Sequence, residues 1–185
     1  MMKLQQTVYV FALLAMITLT LIFMGHKSEV AGASLKQTLL DQLKSTHTRK
    51  DWFVTTAVAT EGLTPAQALW TDKSGNHSVA QLTYHLYFWN KRQAETFKGI
   101  KSAEFSGDNE ETFTGFDKMS WPTLVANLDK VLTELETIVA GATDAQLEKW
   151  APTLANINTH NAYHTGQMVY VRKLQGVWDA EKGVK

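Results

Sequence analysis

Two histidines four residues apart, His160 and His164, sit where an apolar stripe should be unbroken. On a helical projection Ile157, His160, His164, Met168 and Val171 fall within roughly 80° of one another. A core-facing position favours Leu or Ile. An imidazole buried there without partners costs about 1–3 kcal/mol per unsatisfied group. Hydrogen bonds to Asn161, Tyr163 or other helices would satisfy the pair. A shared divalent metal would too, because side chains at i and i+4 stack on one helix face and both rings can turn to one ion. A third imidazole, His85, lies on the edge of another apolar stripe, about 75° from its centre by the same projection. Three histidines with one open position describe a catalytic metal site, whereas a structural site closes the fourth position with protein.

The chain has no cysteine, so disulfides, thiolate nucleophiles and cysteine ligands are excluded and any metal must sit on His, Asp or Glu. All-imidazole ligation suits zinc, nickel, copper or iron; zinc or nickel is the expectation. Haem is disfavoured, because two histidines on one helix cannot straddle its plane. No Ser-His-Asp motif, phosphate loop or pair of glycosidase-like carboxylates stands out, and Glu95 and Asp51 are general bases only if the fold brings them to the metal. Catalytic residues stay unassigned. Of the other histidines, His26 precedes the folded region, His77 precedes a helix start and is expected to be exposed, and His47 is expected to be a satisfied, partly buried ring. Trp52 and Trp89 are expected in the core or a pocket wall.

The elements that must position these residues read as helices, since apolar spacing is helical almost throughout. Leu35, Leu39, Leu43, Phe53, Val54 and Ala57 predict a first helix from Leu35 to about Ala59. Thr64, Pro65 and Gln67 predict a short capped helix, and residues 72–76 a turn. Ser78 and Gln81 open a second long helix whose stripe is Val79, Leu82, Leu86, Trp89 and Phe97, stopped by Gly99. Residues 100–119 form a polar connection, too long for packed antiparallel neighbours and suited to a crossover. Ser120 and Pro122 open a third helix, running through Leu124, Leu128, Val131, Leu132, Leu135, Ile138 and Val139 to Gly141. Thr143 and Gln146 predict a short turn ending near Trp150, and a fourth helix runs from about Asn156 to Leu174 before Gly176. The sum is all-α, an antiparallel four-helix bundle.

Residues 1–33 differ. Lys3 precedes an apolar run from Val8 to Met24, and Ala31-x-Ala33 is a small-x-small pattern that a signal peptidase accepts, with Ser34 as the mature start. The run also reaches the lower limit for a spanning helix, so the segment reads as a signal peptide or an N-terminal membrane anchor. Residues 34–185 then make one exported domain, periplasmic or extracellular, touching a membrane only through residues 8–24 if the leader is retained. The 18 basic and 18 acidic residues balance and no basic stripe appears, so nucleic acid is not an expected partner.

Ser78-Val79-Ala80-Gln81-Leu82-Thr83-Tyr84-His85-Leu86 resembles the second-helix signature of the DinB-like family, and His160-Asn161-Ala162-Tyr163-His164-Thr165-Gly166-Gln167-Met168 resembles its final helix. His77 stands where the family often carries Trp. The resemblance implies up-down-down-up order with the crossover after the second helix, a divalent metal on His85, His160 and His164, and often a homodimer. It also implies relatives that are thiol-dependent transferases, while a three-histidine metal with an open position supports a metal-dependent hydrolase as well; the competing expectation is a non-enzymatic metal-binding, stress-related bundle.

Overall fold

The computed structural model describes residues 33–183, and every regular element among them is helical. The apolar run and Ala31 of the Ala-x-Ala site therefore lie outside the described residues, among which no helix is long and apolar enough to cross a membrane.

Helix α1, Leu35–His47, starts at Ser34, whose side chain accepts from the Gln37 amide at 3.1 Å. It does not continue to Ala59. After the Thr48 cap, Arg49 reaches back to Asp41 at 2.5 Å, and the chain restarts at Thr55 as α2, Thr56–Thr60. The break is closed by the Thr56 hydroxyl, which donates to the Thr46 carbonyl at 2.7 Å. Of the residues expected to extend the stripe, Val54 is buried, but Phe53 and Ala57 are exposed. Trp52, expected in the core or a pocket wall, is 97% exposed on the interruption. Helix α3, Pro65–Ala68, carries the expected Thr64–Gln67 capping box.

Helix α4, Val79–Phe97, has the reciprocal Ser78–Gln81 box and ends before Gly99, whose φ of 73° suits glycine. The polar connection is more structured than its composition suggests: 3-10 turns cover Asn109–Phe113 and Gly115–Lys118. Helix α5, Trp121–Gly141, starts at Ser120 as expected. Helix α6 runs unbroken over Asp144–Gln175, joining two elements that the sequence reading had separated, with Pro152 inside it. It stops at Gly176, φ 75°.

Helices α1 and α4 each pack against both α5 and α6, an arrangement compatible with a four-helix bundle. Leu39 and Leu43 of α1, Leu82 and Leu86 of α4, Leu128 and Leu135 of α5, and Leu154 and Met168 of α6 fill the core. Each such side chain stabilises the fold by about 1.5–3 kcal/mol relative to exposure. Polar groups fix the register inside this core. Asn90 donates to Asn161 Oδ1 at 2.8 Å, and Asn161 donates back to Asn90 Oδ1 at 3.2 Å, both side chains fully buried. Arg172 of α6 donates to the Ala59 carbonyl at 2.9 Å, which pins α2 to α6, and burial pushes its guanidinium pKa below the usual value.

Candidate metal centre

The three imidazoles meet where α4 crosses α6. The second turn of α4 carries His85 inward beside Leu82 and Leu86, and successive turns of α6 carry His160 and His164 toward it. His85 Nε2 and His160 Nε2 are 2.9 Å apart, and one ring nitrogen from each of the three lies within 4.8 Å of the others. Tetrahedral bonds of about 2.0–2.1 Å place donor atoms roughly 3.3 Å apart, so small ring rotations suit this group to one ion. His85 and His164 are buried and His160 is partly open. No Asp or Glu joins the group among the described residues.

Hydrogen bonds decide which nitrogens are available. The Thr112 hydroxyl donates to the Asn109 carbonyl at 2.6 Å, so its oxygen accepts from His85 Nδ1–H at 2.5 Å. The Gln167 side-chain oxygen lies 2.6 Å from His164 Nδ1 and accepts there too. Both rings therefore turn an Nε2 lone pair toward the common point, as partners on the far nitrogen do in metal sites. Electrostatics agree. Burial, then the charges of His164 and His160, push His85 down to about 3. Burial, then His164, pushes His160 down to about 4. Burial lowers His164 as well, against the opposing Gln167 contact. Neutral imidazoles are the ligating form, so the donor set fits a divalent cation.

The other sequence candidates fall elsewhere. Glu95 bonds Ser102 at 2.5 Å and Asp51 faces Arg49 at 3.6 Å; neither reaches the triad. His47 is satisfied as expected, with Glu136 at 2.7 Å and Asp129 at 2.9 Å. His77 is not fully exposed: it stacks on Phe113 at 3.8 Å, and the other face of Phe113 stacks on His85 at 4.0 Å. Trp89 meets His85 edge-on at 6.5 Å. Sequence reasoning missed Thr112 and Phe113, which lie in a stretch read as a connector and carry no local signal. Gln167 was in view only as part of a motif. A cleft of about 370 Å³ opens on His160, walled by Trp89, Gln93, Asn109 and Asn156 and free of charged side chains. The larger cavity, about 540 Å³, lies beside His47 and Trp121, and none of the three histidines lines it. Size alone therefore does not locate the metal centre, and the smaller cleft is the one that opens on a member of the triad.

A family model described as the DinB superfamily matches residues 47–168, a span that includes all three histidines. The chain belongs to this superfamily. No curated protein and no solved structure gives a match. The DinB assignment and the buried triad together fit metal binding.

Proposed function

We propose that this DinB protein is an exported metalloprotein that holds one divalent ion, zinc or nickel, on the Nε2 atoms of His85, His160 and His164. The observation that carries the reading is the convergence of three imidazoles within 4.8 Å, two of them with Nδ1–H already engaged. Bound there, such an ion supplies Lewis acidity, polarising a carbonyl or lowering the pKa of water or a thiol to near ~7. The chain's own part is to present neutral donors, keep one face open through His160, and offer a neutral cleft to a small molecule. This supports a metal-dependent hydrolase or thiol-dependent transferase. The lack of a carboxylate in the group favours a second reading, a non-enzymatic metal-binding bundle.

The reading includes up-down-down-up order. The ion pair of Lys98 with Glu134 supports parallel α4 and α5, and the contact of Phe97 with Trp150 supports antiparallel α4 and α6. Export rests on the Ala31-x-Ala33 pattern and the apolar run before it, and a homodimer on the family resemblance.

Thermal melting with and without zinc or nickel tests the metal. Metal that binds only the folded state stabilises it by RT ln(1 + [L]/Kd), about 2.7 kcal/mol at a hundredfold excess over Kd. Wild type and His77→Ala should gain stability, and His164→Ala should gain little. Equal gains in all three would place the metal elsewhere.

A further inference from the structure

We infer that the crossover segment, through Thr112, fixes the flip and the tautomer of His85 so that a bare Nε2 faces the metal. The inference rests on the three-histidine reading and adds a positioning residue from outside the two ligand-bearing helices.

Two neighbours constrain the His85 ring in different ways. Phe113 lies parallel to it, with centroids 4.0 Å apart and planes 3° from parallel. Stacking fixes the plane of a ring, yet it is nearly indifferent to a 180° flip about the Cβ–Cγ bond, because the flip keeps the plane and turns an equivalent π face to Phe113. That flip exchanges the positions of the nitrogens with those of ring carbons. A flipped His85 would turn carbon toward the point where His160 and His164 converge. The Thr112 hydroxyl removes the ambiguity, since only the observed orientation places Nδ1 against its oxygen, at 2.5 Å.

Thr112 also sets the proton. Its only hydrogen is committed to the Asn109 carbonyl, which can only accept, at 2.6 Å. The oxygen is left as an acceptor, so His85 must carry its proton on Nδ1 and its lone pair on Nε2. Phe113 sets the plane, and Thr112 sets the flip and the tautomer. Thr112 and His85 are both buried, so water does not substitute for the hydroxyl without repacking. Asn109, the last member of the relay, lines the cleft beside His160, so the segment that orders the ligand also walls the substrate's space.

The test uses the full chain and three variants of it, Thr112→Val, Thr112→Ala and Thr112→Ser. The first readout is the imidazole nitrogen NMR spectrum of metal-free protein. Wild type and Thr112→Ser should show His85 as the Nδ1–H tautomer. Thr112→Val and Thr112→Ala should move it toward Nε2–H. The second readout is zinc affinity by competition with a chromophoric chelator. Val and Ala should weaken it on the order of 10–100-fold, as loss of an outer partner does, and Ser should restore it. The inference is overturned if wild-type His85 carries its proton on Nε2, or if Val and Ala both keep the wild-type tautomer and affinity. Should wild type bind no zinc at all, the metal reading fails, and the tautomer readout still decides the role of Thr112.

Discussion

Burial keeps the three imidazoles ready for a cation, and it has a cost that pH exposes. An unfolded histidine titrates near 6.5, while folded His85 and His160 titrate near 3 and 4. Below about pH 6.5 the unfolded chain takes up protons that the folded chain refuses. The stability these groups permit is therefore fully present above the unfolded value. It falls as pH drops toward the folded values, and the decline ends below about pH 3. We expect the melting temperature of chelator-treated protein to decline between pH 6.5 and pH 4, and a His160→Leu variant to decline less steeply over that window. Parallel curves for the two would show that the triad does not carry the effect. The pair at 160 and 164 was legible because two polar rings interrupted an apolar stripe, and His85 because it edged another. Thr112 was not legible, since its link to His85 spans 27 residues.

Between helices, the Asn90–Asn161 pair joins α4 to α6 within about two turns of the histidines. Each amide is the other's buried partner. Asn90→Ala strands the Asn161 group, which should cost about 1–3 kcal/mol in urea unfolding. The double Ala variant should cost less than the sum of the single changes, with a coupling of about 0.5–3 kcal/mol; additive costs would mean that the pair is not a unit. Caps made the long elements readable, since Ser78, Ser120, Gly99, Gly141 and Gly176 act within a turn of where they stand. Two errors had the opposite origin. Val54 and Ala57 kept a helical rhythm across a backbone that breaks after His47. The Thr143–Gln146 cap reads as opening only a short turn to Trp150, yet Leu147 and Leu154, both buried and seven residues apart on one face, hold one helix together on either side of Pro152. Packing there outweighs the one backbone bond that proline removes.

For the molecule as a whole, the proposal of export makes a concrete demand on its mass. Native protein should begin at Ser34, the residue that caps α1. Intact mass spectrometry of protein from its own host decides this, and a chain starting at Met1 that needs detergent would make the apolar run an anchor instead. The all-helical character was readable from periodicity alone, but the packing of α1 and α4 against both partners was not, since it depends on contacts between distant segments. Six indoles are spread through this architecture, and they do not report on the same surroundings. Trp52 emits from water. Trp89, edge-on to the His85 ring, emits beside the candidate metal centre. An open-shell ion such as nickel or copper bound there would drain the excited state of Trp89, while closed-shell zinc would leave it bright, so the protein's own ultraviolet glow would tell one kind of added metal from the other.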